Sequence, residues 1–225
     1  MQFIFDFLAQ HGVLLLEGTA ETLYMTLVPT LFGYVLGLPM GVLLTLTKPG
    51  GIHPAPRFNA VFGWLVNILR SLPFIILMIF IIPLTRLIAG TSIGATAACV
   101  PLTIAAAPFI ARMVEQSLEE IDLGVIEAAR CMGATNWQIV TRVLLVESVP
   151  SLLRGLSIST ITLLGYTAIT GAVGAGGLGN IAFRFGFQRY QDDVMYVTVA
   201  LLIVLVCIIQ SIFNHLAKKA DKRSR

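Results

Sequence analysis

The side chains best spaced for chemistry in this sequence lie between residues 112 and 149, and their chemistry is recognition rather than catalysis. From Leu118 the chain reads LEEIDLGVIEAARCMGATNWQIVTRVLLVESVP. Ile121, Val125, Ile126 and Ala129 recur at helical spacing and make one apolar stripe. Gly133 ends that helix, and Thr135 followed three residues later by Gln138 has the pattern of a capping box opening a second one. Two short helices meeting at a glycine elbow are therefore expected. An amphipathic helix outside a bilayer must cover its apolar face with lipid or with protein. Interfacial anchors are rich in Lys and Arg on their polar face. Here Glu119, Glu120, Asp122 and Glu127 stand against Arg130, so the expected cover is a protein.

Other reactive residue types form no constellation. Cys99, Cys131 and Cys207 are odd in number and unrelated in spacing, which reads as neither a disulfide framework nor a metal site. His11, His53 and His215 are scattered, and no zinc-protease motif or Ser/His pairing appears, so no catalytic residue is assigned. The run Gly171-Ala-Val-Gly-Ala-Gly-Gly177 has the glycine content of a phosphate loop. A Walker loop, however, needs Gly-Lys-Ser/Thr between strand and helix, and none of the four lysines follows a glycine. No cofactor is expected to bind this chain, and the glycine run is read as a flexible turn, with a plain structural turn as the alternative.

The elements that must hold this segment are membrane helices. The chain is 56% hydrophobic and 12% charged, about half the charge of a soluble domain, and its mean hydropathy is +0.87. Apolar blocks suited to spanning a bilayer lie at 22–46, 72–84, 91–111, 150–172 and 194–213. The second is preceded by an amphipathic stretch from Phe58 that holds Asn67 and Arg70. The expected fold is all-α and polytopic, with five spans in a single membrane domain, 1–225, and a cytoplasmic loop at 112–149. The first 18 residues contain no Lys or Arg, unlike a signal peptide, so the first span is expected to direct insertion.

Orientation follows from the basic residues. With the N-terminus outside, Lys48, Arg57, Arg70, Arg112, Arg130, Arg142, Arg154, Lys218, Lys219, Lys222, Arg223 and Arg225 face the cytoplasm. Only Arg86, Arg184 and Arg189 face outward. Twelve against three is a strong positive-inside bias. The glycine run then falls on the outer face, and no basic stripe marks a nucleic-acid partner. Gly33, Gly37 and Gly41 make a smooth stripe on the first span, expected to pack against another helix of the same chain rather than form a dimer seam. Near the end of the fourth span, Gly165-Tyr-Thr-Ala-Ile-Thr-Gly171 is mostly small. Ile169, with Tyr166, is a candidate pore gate that closes by excluding water, with ordinary helix or lipid contact as the alternative.

Glu127-Ala128-Ala129, then Gly133, then Val143-Leu144-Leu145 resembles the cytoplasmic loop of ABC importer permeases. That motif reads Glu-Ala-Ala, three residues, Gly, nine residues, Ile-x-Leu-Pro; Val146 stands where it has proline. The stretches 70–74, 107–115, 171–180 and 184–190 are similar to methionine ABC transporter permeases. The resemblance implies an ABC importer permease in the bacterial inner membrane, acting as a homodimer. It further implies two separate ATPase subunits that bind ATP and Mg, and an extracytoplasmic methionine-binding protein or lipoprotein. Glu127, Ala128, Ala129 and Gly133, with Ala134 and Thr135 at the elbow, would then form the ATPase-coupling element. Its alanines would let the helix sit deep in a groove of the ATPase, and Glu127 would pair with a basic partner residue or support its own helix through Arg130. A permease for another small amino acid or organic solute is the nearest alternative. An ion-coupled transporter is disfavoured because the five spans as read contain no Asp or Glu.

Overall fold

The computed structural model describes residues 2–221, which are mostly helical with no strand among them. The basic residues Lys222, Arg223 and Arg225 of the expected cytoplasmic tail lie outside the described residues. Helix α1 runs Gln2–Thr47, α2 Pro56–Ser71, α3 Phe74–Phe80, α4 Ile82–Ala89 and α5 Ala95–Glu119. Helix α6 is Leu123–Cys131 and α7 Asn136–Gln138, which continues through a π-helical turn, Ile139–Leu144, into α8, Leu145–Glu147. Then come α9, Val149–Thr170, a second π turn, Gly171–Ala175, α10, Gly177–Ile181, a third π turn, Ala182–Phe187, and α11, Asp192–Ala220.

By length and composition, four helices among the described residues can cross a membrane: 9–47 within α1, α5, α9 with its following π turn, and α11. The bent pair α2 and α3 makes a fifth. That pair departs from the expected single run at 72–84. Leu72 is extended (φ −74°, ψ 126°), as a residue before proline is driven to be, and the axes on either side differ by 98°. Pro83 then sits in the first turn of α4, where a missing N–H costs nothing.

The first apolar helix also reaches further outward than expected, and so holds Glu17 and Glu21. Nothing between residues 9 and 22 breaks a helix, so it propagates beyond the apolar run. About 20 residues cross the hydrocarbon. The 46-residue helix is therefore more than twice the length a span requires.

The chain divides into two compact units. The first is 1–31, 73–104 and 160–209; the second is 32–72, 105–159 and 210–225. In the first unit Leu15, Leu178, Ile181 and Val194 form a core, and Phe74 stacks on Tyr166 with ring centroids 4.5 Å apart. Thr22, Thr26 and Thr30 are buried, and each hydroxyl donates to the carbonyl four residues before it at 2.7–2.8 Å. These three hydroxyls are thereby satisfied within their own helix, as burial away from water requires.

The second unit holds Leu44, Val66 and Ala111 at its centre. Arg112 joins its helices: one guanidinium nitrogen donates to the Gly63 carbonyl at 2.9 Å and another to Glu115 Oε2 at 2.6 Å. The glycine stripe lies here too. A Cβ at Gly33 would fall 2.7 Å from Ala106 Cβ, one at Gly37 2.7 Å from the Ala107 carbonyl oxygen, and one at Gly41 2.5 Å from that of Ala111. The stripe is where α1 meets α5.

Candidate functional site

The segment after α5 is built from local signals. Asp122 caps α6, its Oδ1 accepting from the Gly124 N–H at 2.7 Å. The helix ends at Gly133, whose φ of +81° is left-handed. The Gly133 N–H bonds to the Arg130 carbonyl at 2.9 Å and the Ala134 N–H to the Ala129 carbonyl at 3.0 Å. This pair of bonds is a Schellman motif, which needs a residue tolerant of positive φ at its turn. Two residues later the capping box closes: Thr135 N–H donates to Gln138 Oε1 at 2.8 Å, and Gln138 N–H to Thr135 Oγ1 at 3.3 Å. One helix is thus stopped and the next started with their end groups satisfied.

Packing splits the expected apolar stripe. Ile121 and Ala129 are buried, Ile126 is half-buried, and Val125 is exposed. The inner edge borders Leu118 and Leu144 in a groove of the second unit. Across that groove Lys48 Nζ meets Glu119 Oε1 at 2.7 Å, and Arg130 donates to the Ile52 carbonyl at 3.5 Å. Among the described residues no salt bridge joins Glu127 to Arg130; Glu127 is exposed on the rim of the groove. Both partners of the Lys48–Glu119 pair are more than a third exposed. Lys48→Ala is therefore expected to lower stability by less than about 1 kcal/mol, checked by thermal unfolding in detergent at low and high salt.

The outward face is more apolar than the stripe suggested. Leu123 is 68% exposed, Met132 82% and Trp137 75%. These residues lie at the start of α6, at its cap and on α7, with Ala128 exposed between them. All three are large apolar side chains left uncovered within this chain. Of the residues expected to form the coupling element, Glu127, Ala128, Gly133 and Thr135 are accessible, Ala134 is half-buried, and Ala129 is turned inward. Met132 and Trp137 were not foreseen; a cap residue and a lone aromatic carry no periodic signal.

In the first unit, Tyr166 is half-buried against Phe74, and Ile169 is 37% exposed at the end of α9. The glycine run that follows is not the loose turn its composition suggested. Gly171, Ala175, Gly177, Leu178 and Gly179 are all buried. Gly174, Gly176 and Gly177 have φ of +98°, +91° and +76°, and a Cβ at Gly179 would lie 2.5 Å from Ala168 Cα. These glycines serve close backbone approach. The N–H groups of Gly177 and Leu178 are received by Glu21 Oε2 at 2.6 Å and Thr22 Oγ1 at 2.8 Å. That pair, too, is invisible to a local reading of the sequence.

Residues 25–222 match the family described as binding-protein-dependent transport system inner membrane component. A Vibrio cholerae protein named a probable D-methionine transport system permease, MetI, is 49% identical over 220 residues, covering 98% of each chain. The Escherichia coli K12 D-methionine transport system permease MetI is 56% identical over 158 residues, 70% of this chain and 73% of that one. A solved chain of the MetNI methionine ABC transporter in an inward-facing conformation superposes with a TM-score of 0.93 at 50% identity. It covers 95% of this chain and 99% of its own.

Proposed function

The chain belongs to the family of binding-protein-dependent transport system inner membrane components, and from that membership we propose how its parts serve an ATP-driven methionine importer. It is the multi-pass inner-membrane permease of that importer. ATP and Mg belong to a separate ATPase, and this chain contributes passage and coupling rather than a catalytic group. The supporting observation is the apolar elbow of Leu123, Met132 and Trp137. We assign it, with Glu127, Ala128, Gly133, Ala134 and Thr135, as the surface received by the ATPase.

The elbow is suited to transmitting force. Its two ends are locked by the Schellman and capping-box bonds. From α7 the chain stays helical through the π turn and α8. Ser148 N–H then bonds back to Leu144 and Leu152 N–H to Ser148, so the rod runs on into α9. Displacement of the elbow by a closing ATPase dimer would therefore reach α9, whose outer end carries Tyr166 and Ile169, the proposed gate. A second copy of the permease and a second ATPase complete the assembly. Only 11% of the α11 span is buried within this chain, which leaves apolar surface for lipid and for that copy. A methionine-binding protein delivers substrate from outside.

Purifying the tagged permease with its ATPase, and measuring ATP hydrolysis with methionine-loaded binding protein, tests this reading. Stoichiometric capture with methionine-dependent stimulation is expected; no captured ATPase would refute it. Trp137→Asp offers a sharper form, because Trp137 is exposed and its loss disturbs no core. A Trp that anchors an interface as a hot spot contributes about 2 kcal/mol or more, so ATPase affinity is expected to fall about thirty-fold, read by titrating ATPase onto permease in nanodiscs.

A further inference from the structure

We infer that Glu21 is a positioning residue for the outer end of α9, acting through the glycine segment that follows it; this rests on the proposed reading of that end as a gate. Three observations in the first unit lead there. Glu21 Oε2 receives the Gly177 N–H at 2.6 Å, and its neighbour Thr22 receives that of Leu178 at 2.8 Å, so α1 grips the first turn of α10. The gripped segment is tied back to α9. Gly179 lies so close that a Cβ would meet the Ala168 backbone, and Asn180 Nδ2 donates to the Gly171 carbonyl at 3.0 Å. Ala168 adjoins Ile169, the gate candidate. The third observation concerns the connection itself. It passes through a π turn and glycines at positive φ, a backbone whose own preferences do not select one conformation.

Contacts from outside the segment must therefore set its position. A carboxylate is well suited, since an ionised acceptor strengthens a backbone N–H bond about two-fold over a neutral one. The contact is also specific: a Cβ at Gly176 would strike the Glu21 carboxylate, and one at Gly177 would lie 2.8 Å from Thr22 Oγ1. Glu21 thus fixes where α10 sits, α10 fixes where Ala168 sits, and Ile169 follows. A purely structural staple would stabilise the chain without altering how ATP use is matched to import. A positioning residue alters that match.

The test uses the full transporter in lipid vesicles, comparing wild type with Glu21→Ala and Glu21→Gln. Glu21→Gln keeps a neutral acceptor of the same length and guards against misfolding of the Ala variant. In Glu21→Ala, amide exchange in residues 174–181 is expected to rise about ten-fold with residues 123–138 unchanged, and ATP consumed per methionine imported to rise several-fold. Glu21→Gln should fall between. Unchanged exchange in both variants would overturn the grip. Faster exchange with an unchanged ATP-to-methionine ratio would overturn the positioning role and leave a staple. A wild-type complex that does not couple ATP to methionine uptake would instead sink the proposed function, and the exchange data would still decide the grip.

Discussion

Gly133→Val is expected to lower methionine uptake at least about ten-fold while leaving the spans folded. The cost lies in the backbone. Gly133 has φ +81°, and nothing lies within 4 Å of where its Cβ would be, so no neighbour is struck. An L-residue in the left-handed region costs roughly 1–2 kcal/mol, and a β-branched one more. The two Schellman bonds, Gly133 to Arg130 and Ala134 to Ala129, hold that turn. Valine would relieve its strain by opening them, and α7 would swing relative to α6. Met132 and Trp137 flank the elbow, so their relative placement would change and the proposed ATPase contact would be lost. Asparagine tolerates the left-handed region, and Gly133→Asn is expected to keep most of the uptake. Retained ATPase capture and transport in the valine variant would sink the coupling assignment. Equal losses with valine and asparagine would assign the effect to bulk at the interface instead of to φ.

What was legible in the sequence was what local chemistry decides. Gly133, Thr135 and Gln138 act within a few residues of themselves, and the elbow they build is the one observed. The apolar stripe was legible as a stripe, but periodicity says which face of a helix is apolar, not what covers it. Ile121 and Ala129 turned out to be covered by the chain's own second unit, while the surface left bare runs through Leu123, Met132 and Trp137.

The glycine run failed for a related reason. Its composition speaks only of conformational freedom, and the freedom is removed by Glu21 and Thr22, each 156 residues away in sequence from the N–H it receives. Hydropathy likewise placed the spans but not their ends. Helix α1 continues outward past Glu21 because no breaker stops it, and the second span bends at Leu72–Pro73 because a proline does.

The glycine stripe of α1 was legible because close helix approach has only one residue type that permits it fully, and it supports the largest stability effect expected in the molecule. Gly41→Val is expected to abolish accumulation of folded permease. A Cβ there would meet the Ala111 carbonyl oxygen at 2.5 Å and Val114 Cβ at 2.6 Å, and the first is backbone of α5, unable to turn aside. Overpacking of a tight core costs about 1–3 kcal/mol even where side chains can adjust; here two helices must part. Their separation would also open the packing of Leu44, Val66 and Ala111 at the centre of the second unit. Helix association in lipid rests on such packing rather than on hydrophobic drive, so lipid does not make good the loss. Gly33→Ala should be milder, since its nearest obstacles are the Ala106 methyl and the tip of Ile110. Yield and thermal unfolding in detergent should therefore rank wild type above Gly33→Ala, and Gly33→Ala well above Gly41→Val. A monodisperse Gly41→Val protein with wild-type unfolding would show that α1 and α5 do not meet as described.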